Sequence, residues 1–362
     1  MSITIAIDCR MINASGIGVY LQGCLPWFIQ TKNNFLLIGK YTQLQNFVSN
    51  ENVIIIDCDV KCFSIKELLF FPSKIISRIN KADGYYSPFF NIPQGIKVPI
   101  YTTIHDIIFP DMVNLFTKAG LVARMWFFRR AYSKSCKIFT VSEFSKSRIE
   151  YHLGSKKCII VTYSAIRGKF IDRCKNIEHM SKKKYIIFIG NIKKHKGLDC
   201  LLEAFRLAKD KGLTHQLILI GAKDNFRSSD NSILQKIGSM GDSVLFTGHV
   251  SDEELMKYLS LAALLVQPSL YEGFCIPPLE AMVLGTKALI SDIPVLREIY
   301  ADFPVTFFNV GDSVDLEKKM LELLHDAPPT FITLSDELMS KYTFEKTALK
   351  IMDHLEGKPQ EL

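Results

Sequence analysis

Two glutamates with a fixed spacing are the first residues in this sequence that could do chemistry. Glu272 and Glu280, with seven residues between them, follow the apolar run from Leu264 to Gln267, which predicts a buried strand. Where such a strand gives way to a helix, free backbone N–H groups and the helix dipole favour a phosphate. Carboxylates would repel that phosphate, so we expect them to bind hydroxyl groups, which sugars and riboses supply.

The residues after Glu272 predict the start of a helix. Pro277 and Pro278 suit its first turn, where a missing N–H costs nothing, and Gly285 suits its end. Glu272 then lies in the loop before the helix and Glu280 just inside it. A structural interpretation fits the spacing equally well: Glu280 would stabilise the helix dipole, and Glu272 would be a solvated loop residue.

Basic and glycine-rich turns follow two other predicted strands. Ile189 to Leu198 (IGNIKKHKGL) is typical of a strand, a turn and a helix start, although such lysine runs are more often solvated. Gly16 and Gly18, in SGIGVY, would let the backbone approach a phosphate closely. His105 ends the predicted strand from Pro99 to Ile104, where a histidine is often only a hydrogen-bonded structural residue.

The elements that must position these residues alternate along the chain. Short β-rich runs are separated by longer helical patterns, which predicts parallel sheets with helices on both faces. The predicted strands are Ile3–Asp8, Phe35–Gly39, Val53–Asp57, Tyr85–Ser87, Val98–His105, Lys137–Ser142, Cys158–Thr162, Tyr185–Gly190, Gln216–Gly221, Val244–Thr247, Leu264–Gln267, Ala288–Ser291 and Val305–Phe308.

This series predicts two doubly wound α/β domains, because the pattern restarts after a polar stretch. We expect an N-terminal domain at 1–165, a hinge at 166–184 and a C-terminal domain at 185–342. Ligands of such sheets bind beyond the carboxyl ends of the strands. Two facing sheets would place those edges across a central cleft, where we expect the site.

Composition narrows the partners and the compartment. The net charge of +7 favours anionic partners, but no nucleic-acid-binding signature accompanies it. Nine cysteines without a CxxC pair suggest reduced thiols in a cytoplasm.

No run reaches the roughly 18 apolar residues of a membrane span. Residues 61–81 form a basic, amphipathic segment that could lie in a lipid interface, or pack on the sheet with its charges in water. A second aromatic and basic run, Met125 to Tyr132, is interpreted as core plus a solvated face.

The segment YEGFCIPPLEAMVLG, with Glu272 and Glu280, resembles the E-x7-E signature of retaining glycosyltransferase family 4. This resemblance covers nearly the whole chain and implies the GT-B fold, two Rossmann-like domains facing a central cleft. It extends to Tyr342–Lys346, before a last helix at about 343–362 that crosses back to the N-terminal domain in the family. TIHDIIFP and TVSEFSKS resemble the subgroup that builds bacterial surface polysaccharides, often mannosyl- or rhamnosyltransferases.

The resemblance also implies roles for individual residues. Glu272 would contact the donor sugar, Glu280 the nucleotide ribose, and Lys196 the leaving diphosphate; His105 would orient or stabilise the transferred sugar. Asn191 stands where many members have an arginine, and Cys275 where a glycine is usual. The predicted donor site, from the resemblance, comprises Gly16, Gly18, Asn191, Lys196, Val250, Gly273, Phe274, Cys275, Ile276 and Glu280.

The function that the resemblance implies is transfer of a hexosyl group from a nucleotide sugar, with GDP-mannose as the leading donor and dTDP-rhamnose or a UDP-sugar as alternatives. The acceptor would be a saccharide on a polyprenyl diphosphate or a lipid core, at the inner face of the cell membrane. Asp57 and Asp59 mimic a metal-binding DxD motif, but the resemblance implies a metal-independent reaction without a cofactor. An inactive nucleotide-sugar-binding subunit stays open as an alternative, whereas the missing third glycine disfavours a nicotinamide-dependent oxidoreductase.

Overall fold

The chain folds into two compact units, and each contains one parallel β-sheet. The structure, a computed structural model, describes residues 2–174, 182–221, 231–325 and 331–357. The first unit comprises Met1–Arg167 and Tyr342–Leu362, and the second comprises Gly168–Lys341.

The first unit has a parallel sheet of seven strands within the described ranges. Its strands are β1 (Thr4–Asp8), β2 (Asn34–Gly39), β3 (Val53–Asp57), β4 (Gly84–Ser87), β5 (Ile100–Thr103), β6 (Lys137–Thr140) and β7 (Ile159–Val161). Their order is β3-β2-β1-β4-β5-β6-β7. The order changes direction between β1 and β4, and such switch points are where doubly wound sheets bind ligands.

The second unit repeats this arrangement with six parallel strands in the part of the chain that the structure describes. They are β8 (Tyr185–Ile189), β9 (Gln216–Ile220), β10 (Val244–Gly248), β11 (Leu264–Gln267), β12 (Ala288–Ser291) and β13 (Val305–Phe308). Their order is β10-β9-β8-β11-β12-β13, so the switch point lies between β8 and β11.

Helices connect the strands of both units. Those of the first unit are α1 (Ile17–Ile29), α2 (Tyr41–Leu44), α3 (Ile65–Leu69), α4 (Ser73–Ile79), α5 (Ile108–Asp111), α6 (Lys118–Lys134) and α7 (Glu143–Leu153). Those of the second are α8 (Gly168–Cys174), α9 (Leu198–Asp210), α10 (Asn231–Ser239), α11 (Asp252–Leu261), α12 (Pro277–Val283), α13 (Pro294–Tyr300), α14 (Ser313–His325) and α15 (Asp336–Lys341). The last helix, α16 (Phe344–Leu355), belongs to the first unit.

Apolar spacing explains how these elements pack. In α9 the buried residues Leu198, Leu201, Leu202 and Phe205 recur at three- and four-residue intervals, so they lie on one face of the helix. That face joins the core formed by the apolar strands of the second sheet. The inner strands are buried along most of their length, as expected when helices cover a sheet, whereas the edge strands β3, β10 and β13 are partly exposed.

The doubly wound α/β fold predicted from the sequence is confirmed, and each predicted strand forms within two residues of its expected position. The predicted hinge, 166–184, contains α8, and its residues 175–181 lie outside the described residues. The last part of the returning segment, 358–362, also lies outside them. No helix in the described ranges is both long and apolar enough to span a membrane.

The basic segment 61–81 is not one amphipathic helix. It forms two short helices, α3 and α4, which Phe70 to Pro72 separate. In α4, Ile75 and Ile79 are buried, whereas Leu69 and Phe70 are each 69% exposed. The second run, in α6, buries Phe128 and leaves Trp126 50% exposed, so its solvated face is aromatic as well as charged.

Candidate active site

The switch point of the second sheet brings two predicted site segments together. β8 leads into a short 3-10 helix, Lys194–Lys196, and β11 leads into the loop before α12. These segments are joined because Leu270 N donates a hydrogen bond of 2.8 Å to His195 O. Parallel neighbouring strands end at the same edge of a sheet, so Lys196 and Glu272 meet there.

A glycine allows the two loops to come this close. Gly197 has a φ of 68°, and a Cβ added to it would lie 1.8 Å from Pro268 O. Any other residue would therefore suffer both backbone strain and a clash with the carbonyl group. Gly197 fixes the spacing of the loops that carry Lys196 and Glu272.

Glu272 is a buried carboxylate with two strong donors. Lys196 Nζ lies 2.7 Å from Glu272 Oε1, and Ser269 Oγ donates to the same oxygen over 2.7 Å. Burial raises the pKa of Glu272, but the charge of Lys196 and these hydrogen bonds outweigh it and hold the pKa below its usual range. The carboxylate is therefore ionised at neutral pH, and it can accept hydrogen bonds from sugar hydroxyls.

The neighbouring basic residues differ in their environment. Burial, followed by the charge of Lys196, lowers the pKa of His195 to about 4, so this imidazole is neutral at physiological pH. Lys193 and Lys194 are exposed, and Asn191 is half-buried. The positive charge nearest the Glu272 carboxylate is therefore that of Lys196.

The helix predicted after Glu272 is observed as α12. Pro277 and Pro278 occupy its first turn, Gly285 follows its end with a φ of 75°, and Glu280 is buried inside its first turn. Val250 is half-buried just before α11, where Ser251 and Glu254 form the predicted capping box. The predicted contacts of Glu280 and Val250 with a nucleotide stay predictions.

Cys275 holds an unusual backbone conformation beside both glutamates. The φ of Cys275 is 74°, in the left-handed region that is unfavourable for residues other than glycine, and Cys275 is buried. The buried hydroxyl of Tyr300 donates a hydrogen bond to Cys275 O. Burial raises the pKa of the Cys275 thiol well above its usual value, and the charges of Glu272 and Glu280 add to this effect. The thiol is thus protonated, and the predicted donor contacts of its neighbours Gly273, Phe274 and Ile276 stay predictions.

His105 lies at the predicted strand end in the first unit, after β5. Its Nε2–H donates to Pro88 O over 2.8 Å, and its ring meets the Tyr20 ring edge to face at 4.8 Å. Burial lowers the pKa of His105 to about 4. The imidazole is neutral at pH 7, so Nδ1 can accept a hydrogen bond but the ring supplies no positive charge.

Gly16 and Gly18 are needed by the backbone itself. Gly16 precedes α1 with a φ of 68°, and a Cβ on Gly18 would lie 2.4 Å from Ile12 O. These constraints explain both glycines without a ligand. Their predicted contact with a phosphate stays a prediction.

The structure reveals a buried ionic cluster that the sequence analysis missed. Arg10 Nη2 lies 2.5 Å from both Asp8 Oδ2 and Glu67 Oε1, and the Tyr85 hydroxyl donates to Asp8 over 2.7 Å. Burial raises the pKa of Glu67 although Arg10 opposes this shift. Glu67 is the one acidic residue within the basic segment 61–81. A lone acid in such a segment is the sequence signal that could have indicated a buried ion pair.

The DxD-like pair has structural partners. Asp57 Oδ1 accepts a hydrogen bond of 2.8 Å from Tyr41 N, and Asp59 forms an exposed ion pair with Lys40. Among the described residues no group of three or more histidine, cysteine, aspartate or glutamate side chains could hold a metal ion.

Comparison with known proteins gives a consistent result. Residues 172–342 match the family described as Glycosyl transferases group 1. The O-antigen chain mannosyltransferase RfbU of Salmonella typhimurium is 27% identical over 253 residues, which are 67% of this chain and 65% of that protein. The O-antigen chain mannosyltransferase B of Escherichia coli is 27% identical over 231 residues, which are 60% of this chain and 59% of that protein. The match therefore spans less than two thirds of each relative.

Solved structures identify the fold. Sucrose-phosphate synthase from Thermosynechococcus elongatus superposes with a TM-score of 0.74 over 98% of both chains, at 16% sequence identity. The GT-B fold class and the resemblance to bacterial O-antigen mannosyltransferases are thus confirmed.

Proposed function

We propose that this chain transfers a hexosyl group from a nucleotide sugar with retention of anomeric configuration. The proposal starts from the match of residues 172–342 to the group 1 glycosyl transferases. The leading donor is GDP-mannose, because both relatives described above are named mannosyltransferases. The acceptor is a lipid-linked saccharide of a bacterial surface polysaccharide. The enzyme works in the cytoplasm, which agrees with the absence of disulfides among the nine cysteines in the described residues. The reaction needs no metal in this proposal.

The observation that carries this proposal is the ion pair between the half-buried Lys196 and the buried Glu272 at the switch point of the second sheet. The Glu272 carboxylate accepts hydroxyl groups of the donor sugar, and Lys196 stabilises the charge that develops on the departing diphosphate. The bond from the anomeric carbon to the phosphate oxygen breaks while the acceptor oxygen bonds to the same face. The acceptor proton passes to the departing phosphate.

The two domains divide this work in our proposal. The C-terminal domain, 185–342, binds the donor through Asn191, Val250, Glu280 and the stretch 273–276. The N-terminal domain, 1–165 with the returning helix, binds the acceptor. Its neutral His105 orients the transferred sugar, and Gly16 and Gly18 approach the donor phosphate.

A thermal-shift panel tests the donor site. GDP-mannose, dTDP-rhamnose and UDP-glucose are added to the parent protein and to Glu280→Gln. The true donor raises Tm by roughly 5 °C at about 100 times its Kd, because it binds only the folded state. The shift disappears in Glu280→Gln and persists in Glu253→Gln, a matched change of an exposed acid in the first turn of α11.

Product analysis separates the two candidate functions. An active enzyme releases nucleoside diphosphate and forms a glycoside whose anomeric configuration, read by NMR, equals that of the donor. A donor that binds without turnover on saccharide-lipid acceptors would favour the inactive subunit instead. No thermal shift with any nucleotide sugar would refute the donor site.

Membrane association of the first unit completes the proposal. Residues 61–81 carry five basic residues, and their single acid, Glu67, is buried against Arg10. Leu69 and Phe70 are among the most exposed apolar side chains described, and they lie within this basic segment of the sequence. Exposed aromatic and apolar residues next to cations suit the interface of an anionic bilayer.

Vesicle flotation tests this surface. The parent protein is expected to float with phosphatidylglycerol vesicles and to remain unbound with phosphatidylcholine. The double change Leu69→Ser with Phe70→Ser should abolish flotation. Tyr151→Ser, which removes a side chain 74% exposed on α7, should leave it intact. Equal flotation of both variants would refute the proposed surface.

A further inference from the structure

A line of buried hydrogen bonds runs from β11 to the Glu272 carboxylate. Gln267, the last residue of β11, donates from Nε2 to Ser269 Oγ over 3.1 Å, and Ser269 donates to Glu272 Oε1 over 2.7 Å. Gln267 and Ser269 are completely buried, and Glu272 is 8% exposed. The direction is fixed because the serine hydroxyl has one proton, which it gives to the carboxylate, and its lone pairs accept the amide N–H.

Gln267 costs desolvation free energy at this position. Gln267 Oε1 is buried and has no hydrogen-bond partner among the described residues. An unpaired buried oxygen costs desolvation energy that an apolar side chain of the same shape would avoid. Packing therefore does not explain an amide here, whereas its N–H donor to Ser269 does.

We propose that Ser269, held by Gln267, is a positioning residue that orients the Glu272 carboxylate for the donor sugar. This inference rests on the proposed function of the site. Lys196 and the weakly hydrogen-bonding Cys275 thiol restrain the rotation of the carboxylate about its bond to the side chain only in part. Two donors that converge on Oε1 fix its plane, and the lone pairs of Oε2 are then directed to accept a sugar hydroxyl. A carboxylate fixed in advance stabilises the transition state without reorganisation.

Four variants isolate this hydrogen-bonded line. Ser269→Ala removes the donor to Glu272, Gln267→Met removes the support of Ser269 at nearly constant volume, and Ser269→Thr keeps the hydroxyl. The matched control is Ser291→Ala. Ser291 ends the neighbouring strand β12, is completely buried, and its Oγ has no hydrogen-bond partner within the described ranges.

Kinetics with the nucleotide sugar identified by the thermal-shift panel give the first measurement. Ser269→Ala should lower kcat about tenfold, the value of one hydrogen bond to a charged group, with donor KM changed by less than about threefold. Gln267→Met should lower kcat in the same direction, Ser269→Thr should restore it, and Ser291→Ala should leave it unchanged. Equal losses in Ser269→Ala and Ser291→Ala would overturn the proposal, since they would indicate a general packing effect.

The ionisation of Glu272 gives a second measurement that does not need turnover. The titratable groups that interact with this carboxylate are Lys196, His195, Cys275 and Tyr300. His195 also titrates near pH 4, so the Glu272 carboxyl carbon is followed directly by 13C NMR and assigned with Glu272→Gln. Loss of the Ser269 hydrogen bond should raise the pKa of Glu272, whereas Ser291→Ala should not change it.

The two measurements distinguish failure of this inference from failure of the proposed function. A parent protein without turnover on any donor would refute the proposed function, while the pKa of Glu272 in Ser269→Ala would still decide whether Ser269 holds the carboxylate. An active parent whose Ser269→Ala variant keeps both its kcat and the pKa of Glu272 would overturn the inference alone.

Discussion

At the scale of single residues, the environment of Glu272 determines what the site can do. Burial alone would protonate this carboxyl, and a protonated acid would donate one hydrogen bond instead of accepting several. Lys196 and Ser269 keep it ionised. The sequence identified Glu272 and Lys196 separately, but their pairing depends on two loops that are 76 positions apart in the chain.

Glu272→Gln should therefore change how stability depends on pH. The folded pKa of Glu272 lies below the unfolded value of about 4.3, so its stabilising contribution is present above that value and is lost as pH falls through the folded pKa. At pH 7 we expect Glu272→Gln to lower the free energy of unfolding by about 2–4 kcal/mol, because Lys196 loses its partner. Urea unfolding from pH 7 to 3.5 should show this gap shrinking with acidity.

A surface pair provides the control for this prediction. Glu203→Gln breaks the exposed pair with Arg206 and should leave the free energy of unfolding nearly unchanged, because water screens this pair. A gap between the parent and Glu272→Gln that stays constant over the whole pH range would contradict the ionised state of Glu272.

His105 provides a second residue-scale prediction. The folded pKa of about 4 lies below the unfolded value of about 6.5, so the unfolded chain binds more protons between these two values. The contribution of His105 to stability is therefore complete above about pH 6.5 and decreases as pH falls towards 4. NMR of the imidazole, assigned with His105→Gln, should show titration near pH 4. Titration near 6.5 would contradict the buried, neutral ring.

At the scale of elements, local sequence patterns predicted the strands and the start of α12, because neighbouring residues determine both. Short apolar runs gave the strands, and Pro277 with Pro278 gave the start of α12, because both signals act within a few residues. The split of 61–81 into α3 and α4 could not be predicted in this way. Glu67 is held by Arg10, which is 57 positions earlier in the chain, so tertiary contacts decide where α3 lies.

Gly197→Ala tests the junction between the loops after β8 and β11. The substitution adds left-handed strain of about 1–2 kcal/mol and a clash with Pro268 O that costs roughly 1–3 kcal/mol more. Gly311→Ala is the matched control, because Gly311 has a φ of 75° and nothing within 4 Å of an added Cβ. Urea unfolding should show a larger loss for Gly197→Ala. Equal losses would mean that the loops separate without cost.

At the scale of the whole molecule, the chain returns to its first unit at its C-terminal end. Ile166 and Thr343 form an isolated parallel bridge, and α16 packs against α1. The resemblance implied this return, since the family has a last helix that crosses back. The contacts that hold it depend on side chains far apart in sequence, such as Asn33 and Glu356, which the pattern of either segment alone does not reveal.

Phe344 should contribute strongly to the packing of α16 against α1. It is 4% exposed, its ring occupies the space that a Cβ on Gly23 would need, and it meets Tyr20 edge to face. Phe344→Ala should lower the free energy of unfolding by about 3–5 kcal/mol, whereas Leu349→Ala, at a position of α16 that is 44% exposed, should cost under about 1 kcal/mol. Hydrogen exchange followed by mass spectrometry should show faster exchange in α1 in the Phe344 variant, with α9 of the second unit unchanged. Equal protection of α1 in both variants would mean that other contacts hold the returning helix.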